Sequence, residues 1–175
     1  MSALLKTFLK STPGTAAIEF AIIAPLMLVL IAGVLEVGRA YQVYNAANRL
    51  ATQYAIAWAD CSDIPAGTCN TELGYFNTAS SITNIAPQLT ASQLSLTMFQ
   101  VTMVGTNPSV VYASPSGATP SSAQISAVQA ILTSGQSGII VTTTYTHTLQ
   151  YFQSLMTTAL SSYLTASFTA VQLKY

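Results

Sequence analysis

The chain of 175 residues has room for one membrane segment and one domain of roughly 100–120 residues, not for two large domains. Five basic residues balance five acidic ones, too few to form the basic stripe that replaces counterions on phosphates, so nucleic acid is excluded as a partner. From Leu73 to Leu173 there is no Asp, Glu, Lys or Arg, yet the stretch is rich in Thr and Val, unlike a charged disordered tail.

That uncharged stretch reads as a folded, β-rich region wetted by Ser, Thr, Asn, Gln and Tyr. It suits a domain that leaves the cytoplasm or packs against neighbours. An acidic exterior, where carboxylates lose their charge, and a general habit of low charge are two further accounts of it.

Residues 1–14 carry Lys6 and Lys10 and no acid, and Pro13 and Gly14 then punctuate the chain. Phe20 to Leu35 is apolar apart from Gly33 and Pro25. With Thr15 to Ile18 included, it spans about 30 Å as a helix, enough to cross a bilayer. The lysines predict that the N-terminal side stays cytoplasmic while the bulk of the chain is exported. A secretory signal peptide would have a shorter apolar core followed by small residues at a cut site. Here the core opens on Glu19 and runs on into "EVGRAYQVYNAANRLATQYAIAWAD", which continues as helix. A plain single-span anchor explains the apolar run and the lysines but neither Gly14 nor Glu19.

Gly14 followed by "TAAIEF", the Ala-Ala-Ile-Glu-Phe stretch at 16–20, Pro25 inside the apolar run, and Glu36-Val37-Gly38-Arg39 closing it form a joint pattern. Over about Gly14 to Ala57 the chain resembles the TadE-like family, minor pilin-like or pseudopilin proteins of tight-adherence, Flp-type pilus systems. The leader departs from the family's habit in having only Lys6 and Lys10 where several arginines often precede the glycine. The resemblance implies cleavage between Gly14 and Thr15 by a prepilin peptidase, which leaves Glu19 as the fifth residue of the mature chain. It also implies other pilin subunits, an inner-membrane assembly platform and membrane lipid as partners. The physical reading agrees with this: the new N-terminal ammonium and the Glu19 carboxylate are opposite charges at the edge of an apolar medium. Their pairing between subunits would set an axial register that a lone charge could not.

Beyond the span, Glu36 and Arg39 stand three residues apart and can meet on one helix face. Val43, Ala47, Leu50, Tyr54 and Ala57 form an apolar stripe, and Tyr41 and Tyr44 suit the outer interfacial belt, with ordinary core packing as the plainer account of them and of Trp58. The expected organisation is a leader over 1–14, one helix over 15–59 with its transmembrane part at about 18–38, and an exported domain over 60–175.

Cys61 and Cys69 enclose seven residues that include Pro65 and Gly67, which in an oxidising compartment points to a local disulfide. A metal site and two free thiols are the competing readings. The metal reading lacks further ligands, because His147 is the one histidine of the chain. Residues 78–93 read as a polar connector with room for a short helix. Leu94 to Val104 reads as a strand whose alternation shifts between Met98 and Phe99, from a bulge or from cover on both faces. Residues 105–122 read as a Gly/Pro/Ser loop and the most mobile segment. Ile125, Val128, Ile131 and Leu132 share helical spacing with Gly135 as a stop. Residues 138–152 and 165–175 read as strands, joined by a Leu/Ser/Thr-rich link. The fold class is α+β: a long N-terminal helix packed on a small antiparallel sheet, with the pilin-like docking of helix on sheet taken from the resemblance.

Catalysis requires a base beside a nucleophile and a group that orients it. His147 falls inside a predicted strand and reads as an exposed strand residue. Glu36, Asp60, Asp63 and Glu72 cluster near the membrane-proximal end, with Asp60 and Asp63 in turn or capping roles rather than as a calcium site. The reading is therefore a non-enzyme with no cofactor, metal or small-molecule substrate. The chain is read as a TadE-like structural or assembly component acting in pilus biogenesis and adhesion. The alternative is a single-span exported protein that binds a ligand or surface and has no connection to pili.

Overall fold

The computed structural model describes residues 13–61, Cys69, 79–149 and 164–174. Helix α1 (Pro13–Ala59) is followed by α2 (Ala79–Ile85), a 3-10 turn (Ala91–Gln93), β1 (Leu94–Val104) and β2 (Asn107–Ser114). Helix α3 (Ser122–Ile131), β3 (Ser137–Thr146) and β4 (Thr165–Lys174) complete the order. The four strands form one antiparallel sheet in the order β2-β1-β3-β4. The α+β class and the single long N-terminal helix are as expected.

Both faces of the sheet are covered, by different helices. Leu96 and Met98 of β1, Ile139, Val141 and Tyr145 of β3, and Phe168 and Ala170 of β4 belong to the core shared with α1. Phe99, Val101 and Met103 of β1 with Ile140 of β3 form a second core under Val128 of α3 and Leu132, which caps that helix. Side chains alternate between faces along a strand, so the shift of pattern at Met98–Phe99 marks the place where cover passes from α1 to α3. A bulge is present as well, on β2: Gln100 pairs with Tyr112 and Val101 with Val110, which leaves Val111 as the extra residue.

Helix α1 crosses its face of the sheet obliquely, from β4 near Tyr44 to the β2 edge at Trp58. Tyr44 tilts against Phe168 at 6.4 Å. The Thr143 hydroxyl donates to the Ala47 carbonyl at 3.0 Å, and Trp58 stands edge-on to Tyr112 at 5.3 Å. Val43, Ala47, Leu50 and Tyr54 are buried as their spacing predicts. Trp58, not the exposed Ala57, completes the stripe, because four residues after Tyr54 is one turn on along the same face.

One expectation fails outright. Residues 105–122 were expected to form a loop, and 107–114 of them form β2. Gly105, at φ +64°, takes the first central position of a two-residue hairpin turn, where a glycine is favoured. Val110, Val111 and Tyr112 supply the β propensity. Pro108 is accommodated because β2 is an edge strand. The hairpin is also tied down: Gly105 N–H donates to Ser134 Oγ at 3.1 Å, and Gln129 Nε2 donates to the Thr106 carbonyl at 2.8 Å.

Helix α3 stops at Ile131, four residues before Gly135, which at φ +86° serves the turn into β3 instead. The helix begins on a capping box. Gln124 N–H donates to Ser121 Oγ, and the Ser121 N–H donates to Gln124 Oε1 at 2.7 Å. On that side of the sheet, hydroxyls face each other in registered pairs: Thr142 with Thr169, Thr144 with Ser167, and Thr146 with Thr165, at 2.8–3.1 Å. Such cross-strand pairs contribute roughly 0.2–1 kcal/mol each. They show how a sheet whose one charged residue is Lys174, at the end of β4, satisfies its polar groups.

Candidate functional site: a bare apolar helix and its clamp

The feature that distinguishes this chain is how unevenly α1 is covered. From Gly14 to Leu35 the helix carries Ile18, Phe20, Ile22, Leu26, Leu28, Val34 and their neighbours exposed. A Cβ placed on Gly14, Gly33 or Gly38 would meet nothing within 4 Å. These 22 residues extend about 33 Å at 1.5 Å per residue, against about 30 Å of bilayer hydrocarbon. The helix is long and apolar enough to cross a membrane. Pro25 lies within it without ending it, as membrane helices tolerate.

Gly14 and Thr15 lie in the first turn of α1, and Lys6 and Lys10, with the rest of 1–12, fall outside the described residues. Glu19 is exposed and finds no partner among the described residues. A carboxylate so placed on an apolar surface calls for a partner from elsewhere.

Cover begins abruptly at Glu36. Its side chain is buried (6% exposed) between exposed Leu35 and Val37, and it meets His147, also 6% exposed, with Oε1 2.9 Å from Nε2. The expectation of His147 as an exposed strand residue is therefore wrong. It is the first residue beyond β3, it faces α1, and its backbone N–H donates to the Leu164 carbonyl at 2.7 Å. The pair joins positions 111 residues apart, which no local pattern could reveal. The available signal was that the one histidine of the chain sits in an uncharged region, where only a distant residue could supply it with a counter-charge. Arg39, a turn further along, is exposed, as is Tyr41 at 68%. Tyr44 is half-buried against Phe168.

At the other end of the covered half, Asp60 N–H closes the last turn on the Ile56 carbonyl. Cys61 is joined to Cys69 by a disulfide, with Cα atoms 5.9 Å apart, and Cys69 is fully buried. Asp63 and Glu72 lie outside the described residues. Among the described residues no group of three His, Cys, Asp or Glu side chains could hold a metal.

The class defined by these features is a helix-anchored α+β protein. One long helix leaves its first half bare and apolar and gives its second half to a sheet. The TadE-like protein family model matches residues 14–55, the bare half of α1, Glu36 and most of the docked half. No curated protein and no solved structure matches the chain.

Proposed function

We propose that the protein is a pilus-associated subunit of the TadE-like kind, a minor pilin or pseudopilin of a Flp-type system that acts in pilus biogenesis and adhesion. In this reading a prepilin peptidase removes residues 1–14 as a cytoplasmic leader and leaves Thr15 as the new N-terminus. The helix from Thr15 anchors the chain once in the inner membrane, in contact with lipid, with its transmembrane part at about 18–38. The α+β domain stands on the periplasmic side, where other pilin subunits and an assembly platform can reach it, and it enters an extracellular pilus on assembly.

The observation that carries the reading is the bare apolar segment that begins at Gly14 and holds one exposed carboxylate, Glu19, without a partner among the described residues. Leader removal creates an ammonium four residues from that carboxylate, and in a filament the ammonium of one subunit can face the carboxylate of another. The coincidence of the family match with the same segment supports it. The TadE-like match points to assembly rather than catalysis.

The test is the intact mass of the protein extracted from membranes of a host with a matching prepilin peptidase. Loss of residues 1–14 is expected. A retained leader would overturn the processing claim, and a cut beyond Gly38 would indicate a signal peptide.

A further inference from the structure

We propose that His147 is a positioning residue that fixes how deep α1 sits in the bilayer, by giving Glu36 a partner where the helix leaves the hydrocarbon. The inference rests on the membrane reading of α1 above and adds to it a specific device that links the depth of the anchor to docking of the domain.

Three observations place the device. Glu36 is covered while Leu35 and Val37, its neighbours in the chain, are exposed, so the domain reaches down the helix as far as this one carboxylate. The backbone that carries the opposing imidazole is pinned: His147 is tied to Leu164 through its backbone N–H. Tyr145, two residues earlier, is buried and donates its hydroxyl to Gln93 at 2.7 Å. The third observation is the length of bare helix before Glu36, which matches the hydrocarbon thickness and puts residue 36 at its outer edge.

A carboxylate at that level is costly unless it is paired or reaches water. With His147 against it, Glu36 is satisfied inside the protein, and Leu35 can remain at the edge of the lipid. Arg39, three residues on, is the other charged side chain within helical reach of it. When the imidazole is removed, the carboxylate loses the partner that the domain supplies and turns toward Arg39 and water, and the helix rises with it by up to one turn, about 5 Å.

The experiment uses the full chain in phosphatidylcholine–phosphatidylglycerol vesicles. It carries single substitutions Ile22→Cys, Val34→Cys, Leu35→Cys or Val37→Cys and is probed with a membrane-impermeant maleimide; Cys61 and Cys69 are disulfide-bonded and silent. With the native pair, position 37 labels while 34 and 35 are protected. With His147→Ala, positions 34 and 35 become labelled like 37, a shift of the boundary by two to three residues. His147→Gln, which retains a side-chain N–H donor, keeps the native boundary. Adding Glu36→Gln to His147→Ala restores protection at 34 and 35, because a neutral amide has no comparable need for water. Emission from Trp58, buried against the sheet, reports that each variant remains folded.

An unmoved boundary in a folded His147→Ala protein would overturn the proposal. So would a boundary that moves equally with and without Glu36→Gln, since loosened packing would then be the cause. Labelling at Ile22→Cys with the native pair in place would instead sink the membrane reading itself, and this inference with it.

Discussion

Trp58 stands perpendicular to Tyr112, with ring centroids 5.3 Å apart at an interplanar angle of 89°, and so fastens the end of α1 to the edge strand of the sheet. The indole is fully buried. A T-shaped pair adds about 0.5–1.5 kcal/mol to the area buried. Replacing Trp58 with Ala should cost about 3–5 kcal/mol in denaturant unfolding, as other large-to-small core changes do, and Trp58→Phe clearly less. Trp58 is the one tryptophan of the chain, so its emission reports docking of α1 directly, and a red shift on unfolding is expected. A Trp58→Ala protein as stable as the parent would mean that this end of α1 contributes little to the fold.

Tyr54, on the same buried stripe, is pushed up to about 12 from its ordinary 10 by burial. Tyr44 is raised in the same direction, first by burial and then by the neighbouring Tyr145. Below pH 10 both folded and unfolded chains hold the Tyr54 proton, and its full contribution to stability is present. Between about pH 10 and 12 the unfolded chain loses that proton first, so stability falls as pH rises through this window. Denaturant midpoints measured from pH 8 to 12 should decline above 10, and Tyr54→Phe should flatten the decline. An identical slope in the variant would remove Tyr54 as its cause.

The disulfide ties Cys61, two residues past α1, to buried Cys69. Closing so short a loop in the unfolded chain is worth about 2–3 kcal/mol in the loop-entropy account. Cys61→Ser with Cys69→Ser should lower stability by about that amount, and reductant should lower the parent's to a similar degree. Thiol labelling of the unreduced, unfolded protein should find no free sulfhydryl; two would refute the bridge.

Much of this architecture was legible in the sequence because its signals are local. Helix α1 ends at Ala59, within the expected range, since the Val43–Tyr54 stripe and the polar loop after Asp60 are both readable. β1 has the bounds read for it, and its change of pattern at Met98–Phe99 was recognised as meaning either a bulge or double cover. β2 was missed because Gly105, Pro108 and the Ser/Pro run after Ala113 all signal a loop, and the geometry of a hairpin at an edge outweighs them. Ile131 shares helical spacing with Val128 and Leu132, yet it is exposed while Gln124 is buried, since the polar chain through Thr142 needs an amide there. His147 was misread because its partner lies on a different element, 111 residues away.

That polar chain makes its own prediction. Gln124 is buried, and its Nε2 donates to Thr142 Oγ1 at 2.7 Å, while Thr142 in turn meets Thr169 at 2.8 Å. The same side chain caps Ser121 through its Oε1. Ser121→Ala removes the cap alone and should cost about 1 kcal/mol. Gln124→Ala removes the other half of the box and also takes a buried partner from Thr142, so it should cost more, about 2–3 kcal/mol. Equal losses in chemical denaturation would mean that the Thr142 contact contributes nothing beyond the cap.

Glu19 provides the test closest to function. Its carboxylate is exposed on the bare half of α1, and domain packing does not depend on it, so Glu19→Ala and Glu19→Gln should leave Trp58 emission and the thermal midpoint unchanged. Membrane insertion should be kept or slightly strengthened, because an apolar or neutral side chain is cheaper in lipid. What should fall is recovery of the subunit with its pilin partners after crosslinking in membranes, by tenfold if the ammonium–carboxylate pair is worth about 1.4 kcal/mol. Glu19→Asp keeps the charge but shortens its reach, and should lie between. Undiminished crosslinking in Glu19→Ala, with processing at Gly14 intact, would mean that the register between subunits is set elsewhere along the helix.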